Sequence, residues 1–194
     1  MKKIGVLVSG GGTNLQALID AEKSGIIKSG KIVTVVSNKE GVYALQRAKN
    51  AGIESAVITR KEHGAALCDK ILEYLKEKQV DVVVLAGFLA ILEGKLLEEY
   101  KDRIINIHPS LIPSFCGDGF YGLKVHEAAL EKGVKVTGAT VHFVNEITDG
   151  GKIIMQKAVY IEEGDTPEIL QKRVMEQAEW EILPLAVEKV CSEL

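Results

Sequence analysis

Short β-branched runs alternate with amphipathic segments through the first half of the chain. Apolar residues in short continuous or alternating runs predict strands, and apolar residues three or four positions apart predict helices. The runs at 80–85 and 104–108 are apolar enough to be buried on both faces, as the central strands of a parallel sheet are. The predicted strands cover 4–8, 32–37, 55–58, 80–85 and 104–108, and the predicted helices cover 15–24, 42–51 and 65–78.

The pattern changes after residue 134. Two long alternating runs at 135–144 and 152–160 predict an antiparallel hairpin that closes the sheet. Thr166 is a typical cap before a proline, and a long final helix is predicted from 167 towards 189, interrupted at Pro184. The predicted fold class is therefore α/β: a Rossmann-like, mostly parallel twisted sheet flanked by helices, with a C-terminal antiparallel hairpin and a long final helix.

The composition is that of a globular protein that binds small molecules. With 194 residues, 46% hydrophobic and 26% charged, the chain is long enough to bury a substantial core, and a single domain over 1–194 is expected. The net charge is −3, and lysines and arginines are scattered rather than gathered into a patch. We therefore expect small-molecule partners and no nucleic acid.

The cysteines and the N-terminus bear on the cellular compartment. Cys68, Cys116 and Cys191 form neither a closely spaced pair nor an even set, so we expect neither structural disulfides nor a zinc site. The apolar stretch near the N-terminus is too short for a signal peptide, and no apolar segment approaches the length that crosses a bilayer. A cytoplasmic protein that binds no metal and no membrane is expected, as a monomer or homodimer.

The predicted strand at 104–108 ends in two polar side chains. Asn106 and His108 lie two residues apart, so a strand places both on one face while Ile105 and Ile107 take the other. Pro109 ends the strand and favours an extended backbone at the preceding residue. Ligand crevices in open α/β sheets lie at the carboxyl ends of strands. An amide and an imidazole held there can stabilise the oxyanion of an acyl-transfer intermediate.

A glycine run follows the first predicted strand. Residues 9–14 read Ser-Gly-Gly-Gly-Thr-Asn and join that strand to the first helix. Glycines let a ligand approach the backbone, and the free N–H groups at a helix start attract an anion, so a phosphate group is expected there. The lysine of a Walker loop is missing, and Leu15 stands where the dinucleotide fingerprint requires glycine. The alternative is a turn whose glycines serve only tight packing.

Asp149 lies in the connection of the predicted hairpin, directly before Gly150 and Gly151. Its simplest role is to start the turn. If the hairpin tip folds over the end of the strand at 104–108, Asp149 can hydrogen-bond His108, fix its tautomer and raise its pKa. His108 would then be an acid able to donate a proton towards an oxyanion.

The remaining polar residues predict no further site. His63 suggests a solvated loop residue, His126 a residue at a helix start, and His142 a packed or hydrogen-bonded residue of the hairpin, none with metal-ligand spacing. Glu179 is expected to be a solvated charge of the last helix. Cys116 is placed in a loop and could be a reactive thiol, but an unreactive surface thiol is the favoured interpretation.

Four segments occur in order along the chain at 9–14, 85–88, 106–113 and 149–151. Together they resemble the folate-dependent formyltransferases. The segment 106–113, Asn-Ile-His-Pro-Ser-Leu-Ile-Pro, is shared across that family. The glycine loop and the small size are most similar to the branch that formylates phosphoribosylglycinamide, and the likeness runs from the first strand to the last helix.

The resemblance implies a formyltransferase fold and a reaction of de novo purine synthesis. The formyl group of 10-formyltetrahydrofolate, the co-substrate, would pass to the amine of phosphoribosylglycinamide. Asn106 and His108 would stabilise the oxyanion, and Asp149 would support His108 and assist proton transfer through water. No metal is implied.

The resemblance also implies binding residues. The substrate phosphate would lie on Gly12, Thr13 and Asn14, and Glu179 would bind the ribose hydroxyls. The phosphate-binding half would cover about 1–100, and the folate-binding and catalytic half about 101–194. Folate binding would involve Leu89, Ala90, Ile91, Leu92, Asn106, Asn145, Glu146, Ile147, Thr148 and Asp149.

Two features depart from the family pattern. Ala90 stands where many members carry arginine, so a side-chain contact would be lost while backbone hydrogen bonds to the pterin remain. The loop 114–122 is longer than usual, which leaves its substrate contacts open. Neither departure removes a residue with an implied catalytic role.

Other functions stay open at this point. Methionyl-tRNA formyltransferases and formyltetrahydrofolate hydrolases resemble this core but carry a further domain, for which 194 residues leave little room. A non-catalytic nucleotide or folate sensor would use the same loop and crevice. Binding alone would not require Asn106, His108 and Asp149 together, which favours the transferase.

Overall fold

The chain forms seven strands in the computed structural model, which describes residues 1–194. The strands are β1 (Lys2–Val8), β2 (Gly30–Ser37), β3 (Glu54–Val57), β4 (Val82–Leu85), β5 (Ile104–His108), β6 (Val136–Phe143) and β7 (Ile153–Tyr160). They form one sheet in the order β3-β2-β1-β4-β5-β6-β7. The first five strands are parallel, and β6 and β7 are antiparallel to their neighbours. The predicted fold class and the closing hairpin are confirmed.

Helices cover both faces of this sheet. They are α1 (Thr13–Ser24), α2 (Tyr43–Asn50), α3 (Arg60–His63), α4 (Leu67–Glu77), α5 (Lys95–Glu99), α6 (Leu123–Lys132), α7 (Pro167–Val174) and α8 (Trp180–Glu193). The sequence analysis missed α3 and α5, and it gave no bounds for α6 although it placed His126 at a helix start. The first two are too short to show a helical period, and α6 begins after Gly122 without a side-chain cap.

The final helical segment is interrupted elsewhere than predicted. Pro184 lies inside α8, whereas the change of geometry is a π-helical segment, Met175–Glu179, between α7 and α8. Because α8 starts anew after the π turn, Pro184 falls near its beginning and removes one backbone hydrogen bond without ending the helix. The prediction of a break at Pro184 was therefore wrong.

Apolar side chains form a core on each face of the sheet. A cluster of 29 buried residues includes side chains from α1, α2, α7 and α8, and a cluster of 16 includes side chains from α4 and α5. Ile105 and Ile107 belong to the larger core, and Ile104 belongs to the smaller one. Asn106 and His108 therefore share the face of Ile104, as the strand period predicts. No helix combines the length and apolar character that crossing a bilayer requires.

The strand order brings several loops to one edge of the sheet. Since β1, β4 and β5 are parallel neighbours, the loops at their carboxyl ends meet there. Ser9, directly after β1, links two of these loops. Its hydroxyl donates to Asn38 Oδ1 at 2.6 Å and accepts the Leu89 N–H at 2.8 Å. The hydrogen bond between Ser9 and Leu89 thus fixes the position of the glycine loop relative to the loop after β4.

Candidate active site

Four polar side chains meet at the carboxyl end of β5. Asn106 lies opposite His142 in the ladder between β5 and β6, so the two share a face. Asp149, from the connection between β6 and β7, lies between two imidazoles. Its Oδ2 is 3.5 Å from His108 Nδ1, and its Oδ1 is 3.5 Å from His142 Nε2. The structure thus brings the three predicted catalytic residues together and adds His142 to them.

The backbone around Asp149 aims its carboxylate at this cluster. Asp149 has a left-handed φ of 54°, which aspartate tolerates better than most residues. The Gly117 N–H donates to its Oδ2 at 2.8 Å. A Cβ on Gly151 would lie 1.7 Å from the Phe143 carbonyl oxygen, so only glycine fits where the chain returns to the hairpin. The Asp149 side chain is consequently held in place by the Gly117 N–H and by the tight backbone path at Gly151.

Backbone carbonyls fix the tautomers of both histidines. His108 Nε2 lies 2.8 Å from the Phe115 carbonyl oxygen, and His142 Nδ1 lies 2.8 Å from the Phe143 carbonyl oxygen. A carbonyl only accepts, so each of these nitrogens carries a hydrogen. His142 Nε2 is then free to accept from Asn106 Nδ2 at 3.1 Å. The second N–H of the Asn106 amide remains available to a ligand.

The charges of the free site differ from those predicted. Burial lowers the pKa of His108, and this outweighs the raising effects of Asp149 and of the Phe115 carbonyl. Burial opposes ionisation of Asp149, but the neighbouring imidazole of His142, the hydrogen bond from the Gly117 N–H and the nearby His108 together hold its pKa below the ordinary value. The free protein therefore holds a neutral imidazole beside an ionised carboxylate.

Two expectations about His108 are corrected by this arrangement. Asp149 was expected to raise the net pKa of His108, and the net change is a decrease because burial is the larger effect. Asp149 was also expected to fix the tautomer, and the Phe115 carbonyl does so instead. The 3.5 Å separation from Asp149 is longer than a direct hydrogen bond between these groups.

The other histidines lie outside this cluster. His63 is half-exposed in α3, 3.9 Å from Glu62. His126 lies near the start of α6, as predicted, but it is fully buried and neither ring nitrogen has a hydrogen-bond partner. Burial lowers its pKa to about 4, with a smaller effect of His108 in the same direction. It is neutral at physiological pH.

The glycine loop contains glycines of two kinds. Gly12 has a φ of 72°, and a Cβ there would lie 2.7 Å from the Ala44 Cβ, so the fold itself requires glycine. Gly10 and Gly11 are not left-handed, and a Cβ on either would meet nothing within 4 Å. Packing therefore does not explain them, whereas close approach of a ligand to the backbone would.

The start of α1 leaves backbone donors free beside this loop. Gly12 is the N-cap of α1, and it makes no side-chain capping hydrogen bond. The first N–H groups of a helix lack intrahelical partners, and they carry the positive end of the helix dipole. An anion bound at the loop would contact the free N–H groups and lie at the positive end of the helix dipole. Of the two interpretations left open by the sequence, the geometry favours an anion site over a packing turn.

Glu179 lies inside the protein rather than in solvent. It is the last residue of the π-helical segment, is 6% exposed and accepts from Asn14 Nδ2 at 2.7 Å. Asn14 Oδ1 is buried without a partner. The expectation of a solvated charge was wrong because the π turn, a feature frequent at functional sites, directs this side chain inward. Only the family motif pointed to it.

The buried carboxyl of Glu179 has a large pKa shift. Burial raises its pKa from 4.5 to about 6, against the hydrogen bond from Asn14. The group is thus poised to change charge just below neutral pH. A carboxylate beside an unpartnered amide oxygen offers hydrogen-bond acceptors to the hydroxyls of a ligand.

We expect Glu179→Gln to stabilise the free protein at neutral pH but not at acid pH. A raised pKa means that stability is present below pH 4.5 and is lost as the pH rises through about 6. The loss amounts to about 2 kcal/mol, and glutamine avoids it while its Oε1 still accepts from Asn14. Urea unfolding at about pH 4 and about pH 8 measures the difference. Equal effects at both pH values would contradict it.

The segments expected to bind folate flank β5. Residues 89–92 follow β4, and 145–149 connect β6 to β7, while β4 and β6 are the neighbours of β5 in the sheet. Leu89, Ile91 and Ile147 are 54%, 64% and 69% exposed, whereas Leu92 is buried. Ala90 is half-buried against the smaller core. Exposed apolar side chains on both sides of a polar cluster suit a ligand with a flat ring.

The long loop 114–122 contacts the catalytic cluster directly. Phe115, with a left-handed φ of 49°, supplies the carbonyl that binds His108, and Gly117 supplies the N–H that binds Asp149. Cys116, between them, is half-buried, and burial followed by the charge of Asp149 raises the pKa of its thiol. This agrees with the expectation of an unreactive cysteine. The sequence offered no signal for the loop's position.

Comparison with known proteins places this fold and site in a family. The formyl transferase family matches residues 2–187. The chain therefore belongs to the formyl transferases, as the resemblance of its motifs indicated. It is 46% identical to the phosphoribosylglycinamide formyltransferase of Haemophilus influenzae, covering 96% of this chain and 86% of that protein. Within the family, the chain belongs to the phosphoribosylglycinamide formyltransferases.

A solved structure and a longer relative support this placement. Glycinamide ribonucleotide transformylase 1 from Symbiobacterium toebii superposes with a TM-score of 0.93 at 40% identity, covering 100% of this chain and 89% of that one. The trifunctional purine biosynthetic protein adenosine-3 of Gallus gallus is 46% identical over 98% of this chain. The chain spans 18% of the length of that relative.

Proposed function

We propose that this protein transfers the formyl group of 10-formyltetrahydrofolate to the amine of phosphoribosylglycinamide. The products are formylglycinamide ribonucleotide and tetrahydrofolate, and the reaction belongs to purine biosynthesis. The convergence of Asn106, His108 and Asp149 at the end of β5 is the observation that carries the proposal. The names of the relatives that the chain covers over most of their length support it.

The two substrates approach the catalytic cluster from different sides. The substrate phosphate lies on the glycine loop at Gly12, Thr13 and Asn14, and Glu179 accepts from the ribose hydroxyls. The folate ring lies between 89–92 and 145–149, with Asn106 at its reactive end. The site thus draws on both halves of the chain. The formyl carbon and the amine meet beside His108.

Formyl transfer begins when the neutral amine attacks the formyl carbon. The new C–N bond shifts an electron pair onto the formyl oxygen, and two donors stabilise the resulting charge. One is the second N–H of Asn106, and the other is His108 Nε2–H. In the free protein the Phe115 carbonyl oxygen accepts the hydrogen bond from His108 Nε2 at 2.8 Å. During the reaction the formyl oxygen replaces it as the acceptor.

Proton transfer completes the reaction. The attacking amine becomes cationic and must lose a proton, which the ionised Asp149 accepts through a water molecule. The intermediate then collapses, the bond between the formyl carbon and the folate nitrogen breaks, and that nitrogen gains a proton. Asp149 returns to its ionised form, and the balance is one proton from the amine to the folate.

We expect Gly11→Ala to weaken substrate binding without destabilising the fold. A methyl group there meets no protein atom within 4 Å, so it would project into the open space beside the loop, where the proposed function places the phosphate. The KM for phosphoribosylglycinamide should rise about tenfold or more, through loss of hydrogen bonds to a charged group. Removing a glycine at a compatible position keeps the stability or raises it by about 0.4–1 kcal/mol.

Gly12→Ala is the matched control for that substitution. Its left-handed φ and contact with Ala44 make it costly to the fold, so it should lower the stability by about 1–2 kcal/mol. Steady-state kinetics and thermal unfolding of the two variants separate the effects. An unchanged KM in Gly11→Ala would argue against a phosphate at the loop.

The proposed function is tested by following the formyl group itself. 10-Formyltetrahydrofolate labelled with a heavy carbon isotope in the formyl group is incubated with the protein and phosphoribosylglycinamide. The products are identified by mass spectrometry. Labelled formylglycinamide ribonucleotide is expected. Labelled formate without the amide product would indicate a hydrolase, and ligand-induced thermal stabilisation without any product would indicate a sensor.

A further inference from the structure

The second helix holds the glycine loop from behind. The Ala44 N–H donates to the Gly10 carbonyl at 3.2 Å, and Arg47 Nε donates to the Gly11 carbonyl at 2.8 Å. Two consecutive carbonyls of the loop are therefore bound by α2. Glycine peptides rotate easily, because glycine has access to most backbone conformations, so these two contacts fix an orientation that the loop does not fix itself.

Fixing the carbonyls also fixes the N–H groups. In a planar trans peptide the C=O of one residue and the N–H of the next point in opposite directions. With the carbonyls of Gly10 and Gly11 turned towards α2, the N–H groups of Gly11 and Gly12 point away from it. The loop also has open space beside it, since a Cβ on Gly10 or Gly11 would meet nothing within 4 Å.

Arg47 is itself held in place by neutral groups. Its Nη1 donates to Gln16 Oε1 in α1 at 3.1 Å, and its guanidinium lies 4.9 Å from the centre of the Tyr43 ring. The side chain thus joins α2, the loop and α1. Its partners are a carbonyl, an amide and an aromatic ring, so its positive charge remains uncompensated beside the loop.

We propose that Arg47 is a positioning residue for the substrate phosphate. By holding the Gly11 carbonyl it presents the loop N–H groups to the anion, and its charge strengthens the attraction without direct contact. The inference rests on the proposed function, in which the glycine loop takes the phosphate of phosphoribosylglycinamide. It adds a residue of α2 to a site otherwise built from the glycine loop, α1 and Glu179.

The test compares two substrates in one variant. Arg47→Met should lower kcat/KM for phosphoribosylglycinamide by about ten- to a hundredfold, mainly through KM, as expected for one hydrogen bond involving a charged group. With the dephosphorylated riboside, the same variant should change kcat/KM by less than about twofold, because the loop then has no anion to bind. Arg47→Lys keeps the charge without the fork of donors and should fall between.

Lys49→Met is the matched control. Lys49 is an exposed cation of the same helix, so its removal changes the net charge equally and should leave both substrates unaffected. The proposal would be overturned if Arg47→Met lowered kcat/KM by the same factor with both substrates, or if it left kcat/KM unchanged with both. Purely structural damage would produce the first of these patterns.

Inorganic phosphate separates this inference from the proposed function. Phosphate should raise the melting temperature of the wild type and of Lys49→Met, and it should have a much smaller effect on Arg47→Met. This holds whether or not formyl transfer is observed. A wild type that phosphate stabilises but that transfers no formyl group would contradict the proposed function alone. Equal stabilisation of wild type and Arg47→Met, or of neither, would overturn the role of Arg47.

Discussion

Replacing His108 by alanine is expected to lower kcat by about two to three orders of magnitude, the usual cost of losing one oxyanion donor. His108 Nε2 carries a hydrogen that is already directed at an acceptor oxygen, and Asn106 alone would remain as oxyanion donor in the variant. The KM values of both substrates should change little, because the lost interaction strengthens only in the transition state. Steady-state kinetics with phosphoribosylglycinamide measure the effect.

His63→Ala is the control for that result. His63 is a half-exposed histidine of α3, so its loss should leave kcat unchanged. Thermal unfolding of the His108→Ala variant tests whether the fold persists. Turnover close to that of the wild type in a folded His108→Ala protein would remove His108 from the catalytic assignment.

Asp149→Asn is expected to lower kcat by about two to four orders of magnitude, the typical range for a lost general base. Asparagine has nearly the same shape, and its oxygen still accepts from the Gly117 N–H, so the loop geometry should survive. What is lost is the charge that accepts the proton of the amine. In the wild type, Asp149 has a lowered pKa and stays ionised at neutral pH, so the deficit should persist throughout the neutral range.

A second measurement on this variant tests the charge coupling. Asp149 acts to raise the pKa of His108, although burial makes the net change a decrease. Without that charge, the imidazole of His108 should titrate at a still lower pH, which nuclear magnetic resonance of the ring protons can follow. A titration at the wild-type pH, or nearly full activity, would show that Asp149 does not act on His108 as inferred.

The strands were predictable because burial dictates their composition. Continuous apolar runs such as β4 and β5 are buried at nearly every residue. β6 is likewise buried from Thr137 to His142, whereas β7, at the edge of the sheet, is mostly exposed or half-buried. The bounds of α6 were not predicted, although His126 was placed at a helix start, because no capping residue marks the N-terminus of this helix. The π-helical segment was missed because its hydrogen bonds span one residue more than those of an α-helix, and five residues are too few for a hydrophobic period to reveal that difference.

The candidate site was predictable only where it depends on local geometry. The shared face of Asn106 and His108 follows from the period of a strand. The contact of His142 with Asn106 depends on the register between β5 and β6, which joins residues 36 positions apart. The sign of the His108 pKa shift depends on how deeply the ring is buried, and the order of residues along the chain does not report that depth.

The most direct test of the central claim follows consumption of the formyl-folate donor by spectrophotometry, with and without phosphoribosylglycinamide, in the wild type and in His108→Ala. Donor consumption by the wild type should require the amine and should nearly vanish in the variant. Donor loss that proceeds without the amine, or a variant as fast as the wild type, would contradict an amine formyltransferase that depends on His108.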